Sequence, residues 1–314
     1  MAPPSRSIPL LILSLTVISH LYFSNQAIQP FVGQINESSP QKVQNTSRLG
    51  DGCYHVLLDV GSNIGMHGRF LFEPDKFPLS KSSVPKLNEE FGMERDNRDF
   101  CVFAFEPNPY FKERHLDLQK AYAALGWRYH PVAAGVSNED GHLTFYHSHM
   151  KGKPGENDFS ALATKTLYGT DATPVEVPIV RLSNWIKDEI RDRTIPSKPH
   201  VFYPFGPKVV MKLDIEGLEY KVFPDLLTTG ALCETIDFLF GEFHFSGNYR
   251  TFYPMNVTKD GKNVLDIKRA KDVAGHMLEL MRLSENCKTR LTLEDDESYP
   301  VDTVDLPAAA EGHA

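Results

Sequence analysis

The chain has 314 residues, 41% of them hydrophobic and 24% charged, which leaves room for one large domain or two small ones with a full core. A net charge of -8 and the lack of any Lys/Arg cluster argue against nucleic acid as a partner.

Residues 1–7 form a short, mostly small or polar N-terminal tail. Residues 8–24 are largely apolar, broken by Pro9, Ser14, Thr16, Ser19 and His20, a length that suits a signal-peptide core or a short signal anchor. Asn25 and Tyr22 stand two places before Ala27 and Ser24, a poor cleavage pattern that favours an uncleaved anchor. Either way the chain is expected in the secretory pathway: a single-pass type II membrane protein of Golgi or endoplasmic reticulum with a lumenal domain, or a secreted protein. Residues 25–51, rich in Gln, Asn, Ser and Pro, have little to bury and read as a flexible linker. Acceptor triplets for N-glycosylation at Asn36, Asn45 and Asn256 agree with this route. The cysteines Cys53, Cys101, Cys233 and Cys287 lack metal-ligand spacing. In an oxidising lumen they allow one or two disulfides with the connectivity open; Cys101 and Cys233 read equally well as small buried residues beside strands.

Residues 52–307 carry the domain, and 308–314 read as a disordered tail. Val56 to Val60 is an apolar run around one acid, Asp59, and reads as a buried parallel strand; the Gly61-Ser62-Asn63-Ile64-Gly65 turn follows, where glycines would let a ligand approach the backbone. A helix is predicted over 66–72. The stretch 73–99 shows no period and reads as a surface excursion or a lid. Cys101 to Phe105 is a second apolar run, stopped by Glu106-Pro107-Asn108-Pro109, and Tyr110 to Leu125 has helical spacing. Trp127 to Val136 reads as a strand, followed by a turn and by Leu143 to His147 as its hairpin partner. Residues 148–173 are loop-like and polar, where a substrate would approach. Val175 to Val180 is a strand, Leu182 to Ile190 a short helix capped by Ser183, and Val209 to Leu213 a strand running into acids. Gly217 to Leu227 is predicted helical, Ile236 to Phe240 a buried strand, Val264 to Leu283 the longest amphipathic helix, and Cys287 to Leu293 an edge strand with a solvated acidic exit, Glu294 to Tyr299.

An acid at the tip of the strand after a glycine turn is where a ribose diol is held, because a carboxylate accepts from two hydroxyls at once; Glu106 stands there. The glycines are spaced D-x-G-x-x-x-G, so the dinucleotide fingerprint is missing, which counts against a nicotinamide-dependent oxidoreductase. Three stretches together, Leu58-Asp59-Val60-Gly61-Ser62-Asn63-Ile64-Gly65, Phe105-Glu106-Pro107-Asn108-Pro109 and Lys212-Leu213-Asp214-Ile215-Glu216-Gly217-Leu218-Glu219, resemble the FkbM-type S-adenosylmethionine-dependent methyltransferases over about residues 55–245. The resemblance implies the class I methyltransferase fold: an α/β, Rossmann-like, mostly parallel sheet of seven strands with helices on both faces, binding S-adenosyl-L-methionine. It places Asp59, Gly61, Ser62, Asn63, Gly65, Glu106, Pro107, Asn108 and, on the strand near the adenine, Ala133 at the cofactor, with Asp59 toward the methionine part.

Methyl transfer to a hydroxyl needs positioning and a base. Lys212, Asp214 and Glu216 alternate along a strand, so they are expected to project together, with the lysine favouring ionised carboxylates. Glu219 joins them or serves as an acid at a helix N-terminus. His244, with Glu242 on the same face, is a candidate for the base, or a histidine that merely closes its strand. Asp214, Glu216, Glu242 and His244 form an oxygen-rich set that a divalent ion would suit, but the spacing does not demand one and no metal is expected. The expected activity is O-methylation of a sugar hydroxyl of a glycan; the alternatives are a non-catalytic lumenal binding protein on the same fold, or a methyltransferase acting on a small metabolite or lipid.

Overall fold

The computed structural model describes residues 47–149, 157–160, 173–243, 256–259, 262–265, 283–294 and 301–308, with single positions 276, 278, 279, 281, 296, 298 and 299. The first half alternates strand and helix: β1 (His55–Val60), α1 (Met66–Phe72), α2 (Ser83–Phe91), β2 (Phe100–Phe105), α3 (Lys112–Ala123) and β3 (Arg128–Val132). Four further strands follow, β4 (Gly135–Ser137), β5 (Gly141–His149), β6 (Asn157–Ser160) and β7 (Thr173–Arg181), then the short helix α4 (Leu182–Trp185), which continues as a π-helical turn over Ile186–Arg191. The second half is β8 (Val209–Leu213), α5 (Glu219–Thr228), α6 (Ala231–Thr235), β9 (Phe238–Gly241), β10 (Asn256–Lys259), β11 (Lys262–Leu265) and β12 (Arg290–Leu293).

The central sheet has the order β12-β9-β8-β1-β2-β3, and every neighbouring pair is parallel. Six strands, against the seven expected, form it among the described residues. Every residue of β1, β2 and β8 is buried, as parallel strands covered on both faces must be, which is why they read as unbroken apolar runs. Alternation divides the core in two. Leu57, Val102, Val210 and Phe240 face the layer of α1, α2 and α3 through Phe70, Leu87, Phe91 and Leu118. Val56, Leu58, Phe103, Met211 and Leu213 face the opposite layer through Ile186, Ile190, Val222 and Leu232. Each such fully buried side chain contributes about 1.5–3 kcal/mol. Strand order reverses between β1 and β8, and that reversal opens a crevice beyond their carboxyl ends.

Several expectations change. Residues 73–99 are neither a lid nor a surface excursion: α2 packs against α1 with Leu87 and Phe91 fully buried. Its N-terminus is capped by Asp296, whose carboxylate accepts from the backbone N–H groups of Ser82 and Ser83 at 2.9 Å each and from Ser80 Oγ at 2.6 Å. The acidic exit is therefore a cap, and these donors hold the Asp296 carboxyl below the usual range against the opposing effect of its burial. The run 127–136 divides between two sheets, because β4 leaves β3 and joins the order β4-β7-β5-β6. In that sheet β5 pairs antiparallel with β7 and β6, not with the strand before it. Ser183 sits inside α4 and donates to Asp225, while Arg181 holds the N-cap position. Val264 and Leu265 belong to the β10–β11 pair; of the helix expected over 264–283, residues 276, 278, 279, 281 and 283 are helical, and 266–275 lie outside the described residues.

Two disulfides, Cys53–Cys101 and Cys233–Cys287, use all four cysteines. The first ties the approach to β1 to the start of β2, and the second ties α6 to the approach to β12. Residues 48–52 are held to the domain: Arg48 Nε donates to Asp188 O at 2.9 Å, and Gly52 N to Thr194 O at 2.8 Å. Among the described residues no helix is long and apolar enough to cross a membrane; the apolar stretch 8–24 and the triplets at Asn36 and Asn45 lie outside them.

Candidate active site

The loops that leave β1, β2 and β8 meet at the crevice. Beyond β1 the chain turns at Gly61, where φ is 79° and an added Cβ would fall 1.7 Å from Asp214 O, so no other residue fits. Gly61 and Ser62 both donate their N–H to Phe105 O, at 3.1 and 3.0 Å. Gly65 N donates to Ser62 O at 2.7 Å and opens α1 with φ of 82°; a Cβ there would meet Leu118 Cδ1 at 2.6 Å and Tyr129 Oη at 2.8 Å. Both glycines thus make room for the protein's own atoms, a different reason from the ligand approach expected of them. Ser62 turns inward: it is buried, and its Oγ donates to Phe105 O at 3.3 Å.

Glu106 follows β2 and is clamped from two sides. Its Oε2 accepts from Asn63 N at 2.7 Å and its Oε1 from Asn108 N at 2.8 Å. Burial pushes its carboxyl up to about 8, while the two N–H donors and the Lys212 charge pull the other way and Asp59 adds to the rise. Each carboxylate oxygen keeps a further lone pair. Pro107 separates Glu106 from Asn108, which is buried; Asn108 Oδ1 accepts from Tyr110 N at 3.1 Å, and its Nδ2 has no hydrogen-bond partner among the described residues. Ala133 is exposed just past β3, next to Val132, whose carbonyl accepts Glu106 N at 3.1 Å.

Asp59 lies between Ala104 on β2 and Lys212 on β8. It is fully buried, yet neither carboxylate oxygen accepts a hydrogen bond among the described residues; His67 Nδ1 on α1 stands 3.7 Å away. Lys212, also buried, donates to Gly61 O at 2.7 Å and to Asp214 Oδ2 at 3.0 Å. The lysine of the third motif therefore fastens the turn of the first.

The expected projection of Lys212, Asp214 and Glu216 along one strand holds only for the first two. β8 ends at Leu213, and Glu216 sits beyond it with φ of 54°, so a turn and not the pleat sets its direction. Glu219 is fully buried at the start of α5, and its Oε1 accepts from Ile215 N at 2.8 Å, the helix N-terminal role. Glu242 is exposed after β9, its N–H donating to Leu213 O at 3.0 Å. His244 lies outside the described residues. Among the described residues no group of three or more His, Cys, Asp or Glu side chains is arranged to hold a metal ion.

Two residues absent from the sequence reading underlie the site. His115 Nε2 stands 2.7 Å from Asn63 O, and its Nδ1 stands 2.7 Å from Tyr129 Oη. The buried stripe of α3 is His115, Leu118 and Tyr122, with Leu116 outside it, so helical spacing counted from Leu118 would have found the histidine.

A crevice at the strand-order reversal, two acids at the ends of adjacent strands and a lysine-bound turn suit a ligand with both a diol and a cation. A family model, the methyltransferase FkbM domain, matches residues 59–291. The chain belongs to the FkbM methyltransferase family. Its match begins at Asp59 itself, within β1, and takes in the glycine turn, the second and third motifs, the whole four-stranded sheet and the Cys233–Cys287 bridge. No curated protein and no solved structure matches the chain. The FkbM domain makes this a methyltransferase by family, on an α/β fold with a six-stranded parallel sheet.

Proposed function

We propose that this FkbM protein is an S-adenosylmethionine-dependent O-methyltransferase of the secretory pathway, membrane-anchored through residues 8–24, whose acceptor is a sugar hydroxyl of a glycan. The observation that carries the cofactor reading is the pair of acids: Glu106, clamped by Asn63 and Asn108, and Asp59, buried beside it with no hydrogen-bond donor among the described residues. A buried polar group without a partner costs about 1–3 kcal/mol, and the ammonium of a methionine moiety would offset that at Asp59. Glu106 would take the ribose diol, with Ala133 by the adenine. When bound, the cofactor supplies an activated methyl group on sulfur.

The chain's part is to orient the acceptor hydroxyl, exclude water and take its proton. Asp214, held by Lys212, and Glu216 are the acids placed at this end of β8 for that work, and His244 follows Glu242 in sequence as the alternative base. Two disulfides support an oxidising compartment, as do the apolar start and the glycosylation triplets. The glycan reading rests on that compartment and on the family's leaning to O-methylation.

Calorimetric titration of the full chain with S-adenosylmethionine, alongside Asp59→Ala and Glu106→Ala, tests the cofactor; binding by the wild type and its loss in both variants is expected. Acceptor panels of glycans, small metabolites and lipids, read by release of S-adenosylhomocysteine, test the substrate. Turnover on a metabolite or lipid alone would overturn the glycan reading, and binding without turnover on any acceptor would leave a binding protein. Alkaline extraction of membranes and glycosidase treatment of the protein made in cells test the anchor and the compartment.

A further inference from the structure

His115 points from the buried side of α3 into the back of the glycine turn, and both ring nitrogens are engaged there. Asn63 O can only accept, so Nε2 carries the hydrogen; in a neutral imidazole Nδ1 then accepts from the Tyr129 hydroxyl, 2.7 Å away. Ser62 Oγ, 3.4 Å from Nε2, is a longer contact on the same side. Burial lowers the His115 pKa, consistent with a neutral ring. On the far side of Asn63 the backbone N–H reaches Glu106 Oε2 at 2.7 Å. Asn63 spans these two bonds with φ of 50°, a left-handed conformation that asparagine tolerates better than other residues bearing a Cβ.

We infer that His115, with Tyr129 behind it, is a positioning residue for Glu106: by gripping Asn63 O it fixes the peptide whose N–H orients the carboxylate, so that both oxygens meet the two hydroxyls of a ribose. The inference rests on the reading of Glu106 as the ribose ligand. Gly65 belongs to the same device, since a Cβ there would press on Tyr129 Oη. His115 touches no reacting atom; it acts through Asn63.

The test is calorimetric titration of the full chain with S-adenosylhomocysteine and with its 2′,3′-dideoxyribose analogue. The wild type is expected to prefer the ribose ligand, and Glu106→Gln to lose that preference. His115→Phe and Tyr129→Phe are each expected to weaken the ribose ligand roughly tenfold, the worth of one buried hydrogen bond, while leaving the dideoxy ligand nearly unchanged. His115→Gln, whose amide can still donate to Asn63 O, should keep the preference. In a Glu106→Gln background, His115→Phe should add nothing further. Equal weakening of both ligands, or losses that add to that of Glu106→Gln, would reduce His115 to packing and overturn the inference. A wild type that binds with no ribose preference overturns the reading of Glu106 and the inference with it; preference lost in Glu106→Gln but kept in the other variants overturns the inference alone. If His115→Phe does not fold, Tyr129→Phe, which removes a single hydroxyl, carries the test.

Discussion

Burial pushes the Glu106 carboxyl up to about 8, which favours its protonated form at neutral pH in the ligand-free protein. A ribose diol offers two donors and so selects the carboxylate. Affinity for a ligand with that diol should therefore rise with pH through 8 and level off above it, by about tenfold between pH 7 and 9. 5′-Methylthioadenosine is the suitable probe, because it has no amino group of its own to titrate; Glu106→Gln should flatten the profile, and a flat wild-type profile would sink the idea. Linkage to folding has the opposite sense. An acid whose folded value lies above its unfolded value of about 4.3 contributes stability that is complete below that value and is lost as pH rises toward 8. Asp59 divides the ligand differently. Asp59→Asn removes the charge that an ammonium would meet, so S-adenosylhomocysteine should weaken tenfold or more, at about 1.5–3 kcal/mol for a charged hydrogen bond, while 5′-methylthioadenosine, which lacks the amino acid, should bind as before. Equal losses on the two ligands would place Asp59 elsewhere than the methionine part.

The turns around these residues obey backbone sterics, and two glycines separate the causes. Gly61→Ala puts a Cβ 1.7 Å from Asp214 O in a turn already at φ of 79°, whereas Gly126→Ala, at φ of 76°, meets nothing within 4 Å. The second change should cost only the left-handed penalty of about 1–2 kcal/mol, and the first should prevent β1 and β8 from closing; denaturant unfolding of the two variants compares them. The elements written in local pattern were legible from the chain alone. β1, β2 and β8 show as apolar runs because both faces are covered, and α1 falls on Met66–Phe72 as expected because its glycine turn and its apolar stretch are adjacent in sequence. What the sequence hid depends on distant partners. α2 takes its cap from Asp296, more than 200 positions away, so no signal near residue 83 announced it. Ser183 looked like a cap, yet Asp225 takes its hydroxyl; β5 looked like the partner of the strand before it, yet pairs with β7 and β6. In the candidate site, Asp59, Glu106 and Lys212 were marked by their motifs, but the grip of His115 and Tyr129 on Asn63 arises only when α3 and β3 pack behind the turn.

At the scale of the whole chain, the two disulfides reinforce neighbours that the sheet already pairs, β1 with β2 and β9 with β12. They close loops with sequence separations of 48 and 54. On the loop-entropy account each is worth about 4 kcal/mol, and the two together rival the 5–15 kcal/mol that typically holds a native protein. Cys53 and Cys101 are both fully buried between the start of β1 and the start of β2, so reduction leaves two thiols in a core packed for a bridge. Urea unfolding with and without a reductant should therefore give well-separated midpoints, the reduced protein unfolding at much lower urea, and Cys233→Ser with Cys287→Ser should fall between them. Superimposable curves would mean that packing alone sustains the fold. A large separation would tie the fold to its compartment: a chain that needs both bridges folds where thiols oxidise, which is the route that residues 8–24 and the acceptor triplets at Asn36, Asn45 and Asn256 would give it.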